Sequence, residues 1–250
     1  MTTAPFSQTT PYCGPVVPPG ELLASWNGDP ALVAALALAS LGALWLRQGT
    51  GPDPSRDRAL AVALGGLVLA FVSPLCAATV ALFAARAGHH LVLLCIVAPA
   101  LAVALPWRAL PAGLGFGLTS LALILWHLPA VYDRAWDSVA VYWLLQAALL
   151  LPAWVFWSSV LAPAARAETL FAHALLVGGL AGVMGLIGAV LTFAPHGFYP
   201  QHMAGADAYG LSLLADQQLA GLIMWVPGFV PLAAVAFWML RRGWSQGFAA

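Results

Sequence analysis

The chain has 250 residues, of which 62% are hydrophobic and only 7% are charged. Soluble domains carry about a quarter charged residues, so this chain lacks the polar groups that a water-facing surface needs, and we expect the bilayer to be its solvent. Its formal net charge is zero and all nine basic residues are arginine, without a basic run that would indicate nucleic-acid binding.

The first 28 residues contain no lysine or arginine and no apolar core. They lack the pattern of a cleavable signal peptide, so we expect membrane insertion to begin with the first spanning helix. We interpret residues 1–28 as an extracytoplasmic tail, residues 29–242 as a transmembrane domain and residues 243–250 as a short cytoplasmic tail.

Seven segments are long and apolar enough to span a bilayer, which takes about 20 residues each. Their unbroken runs predict helices rather than a barrel, so we expect an all-α polytopic membrane protein. We also expect the second span to continue past Pro74, as a kinked or interfacial helix, to about Arg86. The segments lie near residues 30–46, 59–75, 89–105, 111–127, 139–161, 169–193 and 217–240.

The arginines predict the orientation of these seven spans. Only Arg86 and Arg134 fall on one side of the membrane, and the other side is expected to be cytoplasmic because it carries the basic excess. The N-terminus is then outside and the C-terminus inside. The remaining seven arginines are Arg47, Arg56, Arg58, Arg108, Arg166, Arg241 and Arg242.

Polar chemistry is concentrated on the predicted outer side. The stretch "ARAGHHLVLLC" places His89 and His90 at the start of the third span. They are either interfacial residues that meet headgroups and water, or metal ligands, since neutral imidazole binds copper, zinc and iron. Arg86 shares a face with His90 if the helix extends back that far, whereas Cys95 is expected to be a buried apolar residue.

The stretch "WHLPAVYD" contains a second histidine. His127 closes the fourth span, Pro129 ends it, and Asp133 is expected in the following outer loop. A histidine with a nearby carboxylate resembles a metal ligand and the group that orients it. Alternatively, the helix dipole favours a histidine at this end and Asp133 is simply solvated.

The stretch "ADQQLAGLIMWVPG" opens the last span. We expect Asp216 to be its N-cap and Gln217, Gly221, Met224 and Gly228 to share one stripe. The Met224 thioether together with imidazole is a plausible copper set, although a methionine in a membrane helix usually packs.

The glycines of "GGLAGVMGLIG" in the sixth span, Gly178, Gly182, Gly185 and Gly188, predict a close-packing face. Cys13 and Cys76 could form a disulfide in an oxidising compartment or supply thiolates to Cu(I). The absence of phosphate-binding, nucleophile-elbow and zinc-protease motifs gives no support for an enzyme. The aliphatic helix centres argue against a channel, including a copper uptake channel.

The blocks "SPLCAATVALFAARAGHHLVLLCIVAPAL", "WHLPAVYD" and "ADQQLAGLIMWVPG" resemble the CtaG-like family of integral-membrane cytochrome c oxidase assembly factors. The resemblance covers about residues 12–240, and the "DQQLAGLIMWVPG" block is its most specific part. It implies a role in assembling haem-copper oxidase, with copper supply as the usual suggestion. The positions that match family motifs are His90, His127, Asp133, Asp216, Gln217, Gln218, Met224 and Trp225.

This chain departs from the family at two positions. Many members have a histidine where Arg86 stands, and many have one early in the fifth span, where this chain offers only Gln146. His89 or Cys76 would then substitute as ligands.

We therefore predict a copper site at the outer face that serves an oxidase subunit or a copper chaperone. Its expected ligands are His89, His90, His127, Cys76 and Met224. The rivals are a metal-free scaffold for subunit or haem insertion, and a membrane redox protein that binds haem or quinone.

Overall fold

A computed structural model describes residues 10–49, 51–164 and 166–247 of the chain. Parts of both predicted tails, residues 1–9 and 248–250, lie outside the described residues. Within the described ranges the chain forms α-helices and two short 3₁₀ turns, and no strand is present there. The all-α prediction is confirmed.

Eleven α-helices follow one another along the described chain. Five helical stretches are each long and apolar enough to cross a membrane, and the number rises to seven if each of two bent pairs counts as one span. The helices are α1 (Pro30–Gln48), α2 (Pro54–Phe71), α3 (Pro74–Ala81), α4 (Phe83–Ala104), α5 (Ala112–Trp126), α6 (Pro129–Asp137), α7 (Val139–Val160), α8 (Ala167–Phe193), α9 (Met203–Ala208), α10 (Leu213–Trp225) and α11 (Phe229–Gly247).

The bent pairs are α2 with α3, at 44°, and α5 with α6, at 77°. The longest span, Leu213–Gly247, contains α10 and α11. Helix α4 is continuous across its length but includes a π-helical stretch at Val92–Val97. The seven predicted spans therefore correspond to five single stretches and two bent pairs.

Prolines and caps set helix boundaries that the apolar runs place differently. Asp53 accepts bonds from the first backbone amides of α2, so that helix begins at Pro54 rather than near residue 59. Ser73 caps α3 in the same way, and α3 ends at Ala81. The second span continues past Pro74 as a kinked helix, as expected. Its predicted end near Arg86 is wrong, because Leu82 is extended and a new helix starts at Phe83.

Helices α8 and α10 approach each other closely at glycines. A Cβ added to Gly221 would overlap the Thr192 hydroxyl and the Gly188 carbonyl oxygen. Gly188 thus lies on a close-packing face, as predicted. The same prediction is wrong for Gly178 and Gly182, where an added Cβ would meet open space, because these two glycines lie on the exposed face of α8.

The two ends of the bundle differ in chemistry. At one end, which we call the histidine end, Phe83 at the start of α4 meets His127 after α5 and Tyr199 after α8. At the other end Arg47 pairs with Asp57 at 2.8 Å. The seven arginines that the sequence assigns to one side lie near helix ends at this second end, either in the terminal turns of a helix or just outside one.

Candidate functional site: a buried histidine cluster

The start of α4 is held by a residue from a distant part of the chain. The Asp216 side chain is fully buried, and its two carboxyl oxygens accept bonds from the backbone amides of Phe83 at 2.7 Å and Ala84 at 3.0 Å. Its own helix is capped by Ser212. The prediction that Asp216 caps α10 is therefore wrong: it caps the neighbouring helix, which carries the paired histidines.

The next residue fixes the loop after α8. Gln217 Oε1 accepts a bond from the Phe198 amide at 2.6 Å, and Gln217 Nε2 donates to the carbonyls of Leu191 and His196 at 3.3 Å. This places Tyr199, whose ring stacks on Phe83 with the centroids 3.8 Å apart. Two consecutive residues of α10 thus position the elements around the site.

The predicted stripe along the last span is confirmed, because Gln217, Gly221, Met224 and Gly228 are all buried. Gln218 is half-buried and Trp225 keeps 41% of its surface exposed. A Cβ added to Gly188 would lie 3.3 Å from the Trp225 Cβ. Trp225 therefore belongs to the contact between α8 and α10.

Three histidines lie close together, and we call them the histidine cluster: His89, His90 and His127. The ring centroids of His90 and His127 are 5.6 Å apart, and those of His89 and His90 are 5.8 Å apart. His89 and His90 each expose only 1% of their surface, which contradicts the interfacial interpretation. Both histidines lie within α4, which starts at Phe83. Since consecutive residues of a helix point in different directions, His89 and His90 have different neighbours.

The two neighbours have different surroundings. His89 packs edge-on against Phe71 of α2, with the centroids 5.1 Å apart. His90 lies between Trp126 and His127. His90 is consequently the histidine of the pair that faces a second imidazole from another span.

His127 presents one nitrogen to the cluster in a defined tautomer. Its Nδ1 lies 2.7 Å from the Leu123 carbonyl oxygen, and a carbonyl can only accept, so Nδ1 carries the proton. Nε2 then has a free lone pair, and it is buried without a hydrogen-bond partner, as are both ring nitrogens of His90. A backbone carbonyl on one ring nitrogen is the usual arrangement of a metal-binding histidine.

Arg86 places a fixed positive charge beside the cluster. Its Cζ lies 5.6 Å from the Trp126 ring and 5.5 Å from the Tyr142 ring. Nη2 donates to the Thr79 carbonyl at 3.4 Å, whereas Nε and Nη1 have no hydrogen-bond partner. Among the described residues no carboxylate lies within ion-pair distance of Arg86.

A small cavity reaches Arg86 from the histidine end, between Tyr12, Tyr132 and Trp136. Its volume of about 10 Å³ is on the order of one water molecule.

His202 closes the site from the loop before α9. Its Nε2 lies 2.6 Å from the Tyr132 hydroxyl, and its ring is fully buried. Burial lowers the pKa of His202 to about 3, and the charge of Arg86 acts in the same direction.

Three other predicted site residues have different roles in the structure. Cys76 is bonded to Cys13 in a disulfide, so it offers no thiolate while the bridge is intact. Asp133 lies on α6 rather than in a loop, and it accepts a hydrogen bond from Gln201. The Leu123 carbonyl, not Asp133, therefore orients His127.

Met224 is buried in the hydrophobic core. Among the described residues, no three histidine, cysteine or acidic side chains are grouped closely enough to hold a metal ion together. The imidazole pair of His90 and His127 is thus what the chain itself offers to a metal.

The sequence did not point to several residues of the site. Tyr132 and Tyr199 are buried and hydrogen-bonded to His202 and to the His127 carbonyl, the latter at 2.7 Å. The sequence signal that could have identified these two tyrosines was an aromatic residue within a polar outer segment. Gln146, noted as a departure from the family, is also buried, with both amide atoms unpartnered.

This architecture and site define a polytopic helical membrane protein with a buried, partly unsatisfied polar centre at one end of its bundle. The chain belongs to the family of cytochrome c oxidase caa3 assembly factors (Caa3_CtaG), whose family model matches residues 114–246, a little over half of the chain. The matched range includes His127 and the block from Asp216 to Trp225. His89 and His90 precede it. No curated protein and no solved structure matches the chain.

Proposed function

We propose that this oxidase assembly factor binds Cu(I) between His90 and His127 and passes it to cytochrome c oxidase, at the outer face of a bacterial plasma membrane. Copper is the cargo in this proposal, and the protein acts by binding rather than by catalysis. The recipient is an oxidase subunit, or a copper chaperone that serves one.

The observation that carries the proposal is the facing imidazole pair. A single ion bound to two imidazole nitrogens at about 2 Å each keeps the ring centroids about 6 Å apart, and the observed separation is 5.6 Å. His127 Nε2 and both nitrogens of His90 are buried without partners. Buried polar atoms without partners are costly, and an ion bound between the two rings would satisfy His127 Nε2 and one nitrogen of His90.

The charge and number of the ligands favour Cu(I). The Arg86 guanidinium repels a cation nearby, and the repulsion energy doubles for a divalent ion. Two imidazoles leave the coordination of zinc incomplete, since that ion takes four ligands. Cu(I) accepts two ligands, and a third ligand from a recipient protein could then draw the ion away.

Two independent features support an outward-facing histidine end. Seven of nine arginines lie at the opposite end, as the positive-inside rule requires of a cytoplasmic face. The Cys13–Cys76 disulfide lies at the histidine end, where Thr79 contacts Cys13. Disulfides persist in oxidising compartments outside the cytoplasm.

The cellular test measures the copper content and activity of cytochrome c oxidase isolated from cells that express only one form of this protein. We expect His90→Ala/His127→Ala to yield oxidase depleted of copper. His196→Ala, an exposed histidine at the same end, is the matched control and should leave the oxidase intact. Fully metallated oxidase in cells with the double variant would exclude copper delivery and favour a scaffold role.

A further inference from the structure

A second site lies between α1 and the rest of the bundle, and Phe71 of its wall also packs against His89 of the histidine cluster. It is a cleft of about 440 Å³ lined by α1, α2 and α7, within the usual range for small-molecule sites. Helix α1 contributes Ala35 and Ala39, which leave room, whereas the opposite wall carries Phe71 and Trp143. Within α1 only Leu32, Ala43 and Arg47 are buried, so the cleft separates most of this helix from its neighbours.

One polar side chain interrupts the apolar wall. Gln146 lines the cleft and exposes only 2% of its surface, yet neither its Oε1 nor its Nε2 has a hydrogen-bond partner. A buried amide without partners costs several kcal/mol in an apolar environment. Both amide atoms are themselves covered by the protein, so Gln146 must change its side-chain rotamer before a ligand in the cleft can offer a carbonyl to Nε2 or a hydroxyl to Oε1.

The mouth of the cleft determines the charge of such a ligand. Asp29 is the charged residue of the lining, and its carboxylate accepts a bond from the Tyr12 hydroxyl at 2.6 Å. This bond, with the Ala31 amide, lowers the pKa of Asp29. A phosphate headgroup would meet a negative charge and no cation there, so the lining disfavours a phospholipid and favours a neutral molecule.

The aromatic wall suits a flat ring. Phe71 and Trp143 lie with their centroids 5.1 Å apart and their planes tilted by 35°. Offset contacts between such rings and a planar ligand are favourable beyond the area that they bury.

We infer that the cleft binds an isoprenoid quinone, with its ring near Phe71 and Trp143 and one ring oxygen on the Gln146 amide. The oxidised ligand presents a carbonyl to Nε2 and the reduced ligand presents a hydroxyl to Oε1, so the same amide serves both states. The apolar tail lies along α1. This inference is independent of the copper proposal, because no residue of the imidazole pair lines the cleft.

The test is a titration of detergent-purified protein with ubiquinone-1, followed by the quenching of tryptophan fluorescence. We expect saturable quenching by the wild type and at least tenfold weaker binding by Gln146→Leu. Gln48→Leu, an exposed glutamine at the far end of α1, is the matched control and should bind like the wild type.

A second pair of variants keeps the test decisive if Gln146→Leu folds poorly. Ala35→Phe fills the cleft and should abolish saturable quenching, whereas Ala34→Phe, outside the lining, should not. Wild-type quenching that never saturates, or saturable quenching that is as strong in Gln146→Leu and Ala35→Phe as in the wild type, would overturn the inference. A tightly retained phospholipid that ubiquinone-1 fails to displace, seen by native mass spectrometry, would also overturn it.

Discussion

Replacing Asp216 by alanine should loosen the start of α4, the helix that carries both buried histidines. The carboxyl group accepts two buried backbone bonds, from Phe83 at 2.7 Å and from Ala84 at 3.0 Å. Each amide left without a partner costs about 1–3 kcal/mol. We therefore expect Asp216→Ala to lower the free energy of unfolding by about 2–6 kcal/mol.

Two further variants calibrate this value. Asp216→Asn keeps one acceptor oxygen and should lose about half as much stability. Ser212→Ala removes the exposed cap of α10, the helix that contains Asp216. This cap accepts a single hydrogen bond from the Ala215 amide at 3.1 Å, and its loss should cost about 1 kcal/mol.

The assay is reversible denaturation in detergent micelles, followed by tryptophan fluorescence. A loss in Asp216→Ala no larger than that in Ser212→Ala would refute the capping role.

Three further predictions address charge and covalent structure. The Trp126 ring lies 5.6 Å from Arg86 Cζ and 4.9 Å from the His90 ring, so the guanidinium is within about 10 Å of the His90 ring. At an effective dielectric constant of about 20, a cation at this distance from Arg86 is repelled by about 1.6 kcal/mol. Arg86→Gln removes this repulsion and should tighten Cu(I) binding about 15-fold. Equal affinities in a chelator competition assay would contradict this. The buried His202 has a pKa of about 3, below its unfolded value, so the unfolded state binds the extra proton as the pH falls below about 6.5. Protonation of His202 in the unfolded state should therefore contribute up to about 2 kcal/mol to the loss of wild-type stability between pH 7 and pH 5, and the loss in His202→Gln should be smaller by this amount; parallel pH curves would exclude this role. The disulfide closes a loop of 63 residues, so Cys13→Ser/Cys76→Ser should lose at most about 4 kcal/mol, seen as a lower melting temperature; an unchanged temperature would show that the bridge constrains little.

The apolar runs predicted the approximate position of the spans, because bilayer thickness sets helix length directly. The boundaries were less accurate where local chemistry decides them. The pairs Asp53–Pro54 and Ser73–Pro74 each combine a cap with a proline at the first helical position. That signal is local and was readable from the sequence.

The site was predictable only in part, for a physical reason. The bond from His127 to Leu123 spans one helical turn, so helix periodicity alone could have suggested it. The hydrogen bond that the Phe83 amide donates to Asp216 joins residues 133 positions apart, and no local pattern specifies which helices are neighbours. For the same reason Gly188 and Gly178, on one helix, differ in what they contact.

The most direct test of the central claim is the copper content of purified protein after loading with Cu(I), with ascorbate as the reductant. The account predicts one bound copper per chain in the wild type and in His196→Ala, and none in His90→Ala/His127→Ala. A wild type that takes up no copper, or a double variant that keeps it, would contradict a copper site at the imidazole pair.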